Sequence, residues 1–274
     1  MRGTMILLTL TCLSACGSPD RSEAPREPPP VVFDGALATE ARAKLAHGER
    51  LTSVLGCTGC HGKTLEGKPW IDSPDEGVLH ASNLTRAIPR YTEAELDGLL
   101  RVGNHPRRAQ LWDMPSELFQ HLSEPDMSAL VAYLRSVEPA GAPSPDPVLG
   151  RAAKEWIANG EMKPAAQRVA ETRTIGPADL GLQYALGRYI TRVTCAECHG
   201  PKLEGKPGGN PDLIVAGAYS RDEFEKLITQ GTATGGRKLH PLMVGVAKGR
   251  FSKLTPNERN SLYAYLKARA EQPQ

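Results

Sequence analysis

Apolar residues recur at helical spacing in several stretches of the chain, and no run alternates convincingly with period two. Met127, Leu130, Val131, Leu134 and Val137 fall on one face of a helix, the stripe of an element that buries one side. Ser123-x-x-Asp126 opens that helix, and Thr255-Pro256-x-Glu258 opens a similar one reaching about Ala270, with Pro at the first helical position. Two more capping patterns, Thr92-x-x-Glu95 and Ser220-x-x-Glu223, start helices that should end near Gly103 and Gly231. Earlier helical stretches contain Gly48 and Gly187, and both closing helices carry Tyr-Leu, at 133–134 and 265–266. The same order of signals occurs twice, so the pattern predicts two all-α units in tandem with almost no sheet.

Segments outside these units read differently. Met1-Arg2-Gly3 and the apolar run from Met5 to Leu13 form a leader too short to span a bilayer. It ends in Leu13-Ser14-Ala15-Cys16, which resembles the lipobox of bacterial lipoproteins. That resemblance implies a signal peptide over 1–15, cleavage before Cys16, lipid on its sulfur, and export with a membrane anchor. Gly17 after the acylated Cys points to the outer membrane, by resemblance to known sorting rules. Residues 16–33 are rich in Pro and charge and read as a tether. A Pro-rich stretch over 139–149 separates a first domain, 34–138, from a second, 150–274.

The chemistry lies in four cysteines. Cys57-Thr58-Gly59-Cys60-His61 and Cys195-Ala196-Glu197-Cys198-His199 share one spacing. Each opens into a longer repeat, Cys-His-Gly-Lys-Thr-Leu-Glu-Gly-Lys-Pro against Cys-His-Gly-Pro-Lys-Leu-Glu-Gly-Lys-Pro. Cys-x-x-Cys-His attaches c-type haem: two thiols about one helical turn apart add to the vinyl groups, and the next His ligates the iron. Long loops between short helices suit a chain that wraps a large flat cofactor. A zinc site would need the two distant pairs to converge, and a redox dithiol would need a β-α-β surround that the pattern lacks. With 33 basic and 31 acidic residues, no basic excess marks a nucleic-acid partner.

On these motifs the units resemble tandem class I cytochromes c. The resemblance implies a first and last helix crossing near a Gly and an aromatic, here Gly48 with Tyr133 and Gly187 with Tyr265. Ala81-Ser82-Asn83-Leu84-Thr85 in the first unit looks like a segment of the cytochrome c subunits of membrane-bound dehydrogenases. The resemblance implies two covalent haems, held at Cys57, Cys60, Cys195 and Cys198, with His61 and His199 as proximal ligands. Met114 and Met243 occupy equivalent places, in expected loops, and are the candidate distal ligands. His47, His80, His105, His121 and His240 are rivals without a partner in the other unit, with His240 the nearest to Met243. Met127 reads as core, and Arg101 as either a propionate partner or a solvated residue.

An iron with both axial positions filled offers no substrate site. The expected activity is therefore electron transfer between redox proteins, a dehydrogenase, cytochrome complex or oxidase, at the periplasmic side of a membrane. The competing class is a di-haem oxidoreductase, peroxidase-like or thiosulfate-oxidising, with one accessible iron.

Overall fold

In the computed structural model, which describes residues 29–206 and 209–272, helices dominate. The lipobox Cys16 lies outside the described residues. The first repeat runs through α1 (Ala41–Val54), α2 (Cys57–His61), β1 (Lys68–Ser73), β2 (Gly77–Ala81), α3 (Leu84–Ala87), α4 (Glu93–Asp97), α5 (Ser116–Phe119) and α6 (Glu124–Ser136). A short β3 (Val148–Leu149), α7 (Arg151–Ala158) and α8 (Ala165–Thr172) follow. The second repeat holds α9 (Ala185–Ile190), α10 (Ala196–His199), α11 (Arg221–Gln230), α12 (Pro241–Gly249) and α13 (Pro256–Ala270). Thr92, Ser220 and Thr255 close reciprocal capping boxes with Glu95, Glu223 and Glu258. The helix begun by α4 ends at Gly103, and α11 ends at Gly231, both in the left-handed region that glycine enters at little cost. No helix among the described residues is long and apolar enough to cross a membrane.

The crossing glycines are where the resemblance put them. A Cβ on Gly48 would lie 2.1 Å from the Ala129 oxygen and 2.7 Å from Cβ of Tyr133. On Gly187 it would lie 2.1 Å from the Ser261 oxygen and 2.5 Å from Cβ of Tyr265. The missing side chains let α1 meet α6, and α9 meet α13, backbone against backbone.

Three features go beyond the pattern of apolar positions. A three-stranded antiparallel sheet in the order β1-β2-β3 exists where almost none was expected. β1 is mostly exposed and its pairing with β2 breaks between Pro69 and Ile71, so no apolar alternation marks it. The Pro-rich stretch is pinned to the first repeat: the Asn83 side-chain amide donates to the Ala140 and Ala142 oxygens, and β3 pairs with β2. Lastly, residues 150–172 fall within the expected second domain but pack on the first. The Ala165 N–H donates to the Leu111 oxygen, and Ala153 and Met162 share a cluster with Leu79, Ile71 and Trp112.

The two repeats do not have separate cores. From Val31 onward the chain is one compact unit, and one apolar cluster takes in Leu51, Phe119 and Leu130 together with Ile190, Leu262 and Tyr265.

Candidate cofactor sites

The repeated decapeptide builds the same turn twice. Leu65 and Leu203 both take a positive φ, 61° and 67°. Gly67 and Gly205 follow at 81° and 71°, and their N–H groups donate to the His61 and His199 oxygens, each at 2.8 Å. The Leu84 and Leu213 N–H groups then donate to the Leu65 and Leu203 oxygens at 2.8 and 2.9 Å. A Cβ on Gly67 would lie 2.5 Å from the Ala81 oxygen, so the returning chain can pass close only over glycine.

That turn orients the histidines. His61 Nδ1 lies 2.7 Å from the Ser82 oxygen, and His199 Nδ1 2.8 Å from the Pro211 oxygen. A carbonyl only accepts, so in each ring Nδ1 carries a proton, and in the neutral ring Nε2 is then left with its lone pair, the arrangement of a metal-ligating imidazole. Burial lowers the His61 pKa, against the opposing pull of the Ser82 bond, and so favours the neutral ring a metal needs.

Cys57, Cys60, His61 and Met114 line one cleft, whose other walls include Ile88, Leu99, Leu130 and Leu134. Burial pushes the Cys57 thiol up to about 12 and Cys195 up to about 11, with the Arg250 charge opposing both shifts. These groups fit covalent haem: paired thiols one turn apart, a neutral His with a free nitrogen, a thioether and an apolar surround. Among the described residues no three His, Cys, Asp or Glu side chains gather as a metal-ion site, which weighs against the zinc reading.

The distal candidates sit in different settings. Met114 lies in the loop before α5. Met243, expected in a loop, lies instead in the first turn of α12, half-buried against the shared core. His240 is exposed and caps α12, its Nδ1 accepting from the Leu242 N–H at 3.2 Å. His105 reaches the first cleft, but Nε2 contacts the Tyr91 hydroxyl and Nδ1 accepts from the Arg107 N–H, so both ring nitrogens are used. His80 lines the same cleft from β2. His47 is bound to Asp126 at 2.8 Å, and His121 faces a groove between the repeats. Met127 is buried in the core, as its stripe implies. Arg101 is engaged with Asp97, Glu124 and the Leu122 oxygen, and so clasps its own unit.

Sequence reasoning missed Arg250, which belongs to neither motif. Its Nε donates to the Val54 oxygen at 3.1 Å and its Nη1 to Glu197 at 2.6 Å. Its Nη2 is buried without a hydrogen-bond partner. Glu197 stands inside the second Cys-x-x-Cys-His motif and also lines the first cleft. One guanidinium therefore ties the second motif to the end of α1, just ahead of the first motif.

The profile of the family described as Cytochrome c matches residues 45–138 and 184–270. A nicotinate dehydrogenase subunit of Pseudomonas putida is 26% identical over 243 residues, covering 80% of this chain and 19% of that protein. The chain thus spans about a fifth of the length of this relative. The two matched segments coincide with the two repeats and leave out the α7–α8 hairpin. With both cysteine-histidine motifs inside the matched segments, the chain belongs to the cytochrome c family, here as two tandem, mostly helical domains.

Proposed function

We propose that this chain is a membrane-anchored di-haem cytochrome c that passes single electrons between redox proteins outside the cytoplasm. Haem, when bound, supplies reversible one-electron exchange at its iron. Cys57 and Cys60 would hold the first haem, and Cys195 and Cys198 the second. His61 with Met114 and His199 with Met243 would fill the axial positions and keep substrates off the iron. An axial thioether raises the reduction potential, which suits the oxidising end of a chain of carriers. Cys16 would carry the lipid, in the outer membrane on the Gly17 argument.

The observation that carries this reading is the duplicated histidine turn, with Nδ1 tied to a backbone carbonyl in both repeats. Glu197 adds support, because it belongs to the second motif and lines the first cleft, with Arg250 tying it to the end of α1, so the two sites adjoin within the chain. The dehydrogenase relative supports a dehydrogenase as electron donor.

Acid extraction followed by mass spectrometry of the mature protein should find two haems still bound, and Cys195→Ser with Cys198→Ser should leave one. A mature protein carrying no covalent haem would end the reading. Cys16→Ser should move the protein from the membrane fraction to the soluble exported fraction, and continued partition with membranes would place the anchor elsewhere.

A further inference from the structure

The α7–α8 hairpin belongs to neither repeat, yet it holds the loop that carries Met114. Arg168, on α8, makes three bonds in three directions. Its Nη2 donates to the Met114 oxygen at 2.7 Å, its Nε to Glu117 at 3.0 Å, and its Nη1 to the Lys163 oxygen at 2.8 Å. Arg168 and Glu117 are 22% and 18% exposed, so this ion pair is largely shielded from water. Ala165, the first residue of α8, donates its N–H to the Leu111 oxygen at 2.8 Å, before Met114 in the chain. Beyond it, the Gln120 side chain donates to the Val169 oxygen and to Thr172. α8 thus grips the loop on both sides of Met114 and at Met114 itself.

The loop needs a grip. Asp113, immediately before Met114, sits at φ 54°, in the left-handed region, which Asp enters more readily than most side chains but still at a cost in energy. In the second repeat Met243 is carried by α12, whose own backbone bonds fix it.

We propose that Arg168 is a positioning residue for the first iron: by fixing the Met114 carbonyl it keeps the thioether on the metal, and the hairpin is a brace that sets how readily that ligand leaves. The inference rests on the reading of Met114 as axial ligand. A guanidinium suits the task, since its rigid fork bonds in several directions at once, which an ammonium on a flexible stem does not reproduce.

The test uses the full-length haem-loaded protein and four variants, Met114→Ala, Met243→Ala, Arg168→Ala and Arg168→Lys. The readouts are the far-red sulfur-to-iron band of the ferric protein, both midpoint potentials, and carbon monoxide association to the ferrous protein. Met114→Ala and Met243→Ala should each remove about half of the band, one band per haem. Arg168→Ala should weaken the half that Met114→Ala removes, lower one potential, and speed carbon monoxide binding at that haem about tenfold, the factor one charge-assisted hydrogen bond is worth. Arg168→Lys should fall between wild type and Arg168→Ala.

If Met114→Ala keeps the whole band, the ligand reading fails and takes the brace with it. If Met114→Ala removes its half but Arg168→Ala behaves as wild type, the ligand reading stands and the brace is refuted. Should Arg168→Ala not accumulate, Arg168→Lys decides alone, and wild-type band, potentials and binding rate in it would overturn the proposal.

Discussion

The same two positions join the repeats to each other, and they do so with different chemistry. Two residues beyond the crossing glycine stands Arg50 in the first repeat and Tyr189 in the second. Each reaches the acid three residues after the cap of the other repeat's closing helix. Arg50 binds Glu258 through two bonds, of 2.7 and 2.9 Å. The Tyr189 hydroxyl donates to Asp126 at 2.8 Å and accepts from the Ser123 N–H at 3.1 Å. Both carboxylates are fully buried. Glu258 closes a reciprocal capping box and meets a formal positive charge. Asp126 gives up the reciprocal box and spends its oxygens on the Ser123 hydroxyl, the Phe33 N–H, His47 and Tyr189. Burial, with the Asp126 charge adding to it, raises the Tyr189 pKa far beyond neutrality, so the phenol stays a donor. A duplicated fold thus offers a paired contact, and each side of the pair has settled on its own way to satisfy a buried acid, one with a counter-charge and one with a hydroxyl donor.

The ionic side should be the more costly to break. Arg50→Ala leaves Glu258 two backbone donors, from Asp34 and Thr255, but strips it of its counter-charge. An abandoned buried charge costs about 3–5 kcal/mol, to be read from denaturant unfolding of the haem-loaded protein. Glu258→Gln in the Arg50→Ala background should recover part of that loss, and no recovery would show that the guanidinium acts by packing instead. The hydroxyl side should cost less. Tyr189→Phe removes one donor and one acceptor but leaves Asp126 its other partners, a loss of about 1–2 kcal/mol. A loss as large as that of Arg50→Ala would mean that the two contacts are equal in strength despite their different chemistry.

Much of this molecule is legible in its sequence because the signals are local. Caps at Thr92, Ser220 and Thr255, the helix ends at Gly103 and Gly231, and the histidine turns all lie within a few residues of their cause. The crossings at Gly48 and Gly187 follow from the family resemblance. Contacts between the repeats leave no such trace, since Arg50 and Glu258 are 208 residues apart, Arg50 belongs to no motif, and the capping pattern of Glu258 says nothing of its partner in the other repeat. Arg250 is hidden for the same reason. The hairpin that carries Arg168 does leave a signal: residues 150–172 have no counterpart in the other repeat, and an unrepeated insert between repeats needs a partner to pack on. Met243 reads as a loop residue because proline so often interrupts a helix, but Pro241 stands at the first position of α12, where proline is favoured.

A finer contrast separates the two capping boxes that open the mid-unit helices. Thr92 and Glu95 cap α4, and Ser220 and Glu223 cap α11, with the same reciprocal bonds. Glu223 has one further donor, the Thr234 hydroxyl, which reaches it from the turn after α11. That bond, with those from the Ser220 backbone and hydroxyl, brings the Glu223 pKa down to about 2, whereas Glu95 is lowered through Thr92 alone among hydrogen-bond donors. A depressed folded-state pKa means that the native state prefers the carboxylate more than the unfolded chain does. The stabilisation from Glu223 is complete above the unfolded value of about 4.5 and disappears as pH falls toward about 2. Both glutamates are only half-buried, at the protein surface, so the effect is small and weakens with salt. Carboxyl carbon shifts followed by NMR should show Glu95 taking up its proton at higher pH than Glu223. Thr234→Val should raise the Glu223 midpoint toward that of Glu95 and leave Glu95 where it was. If the two glutamates titrate together in the wild type, the Thr234 bond does not form in solution, and the two boxes are equivalent after all.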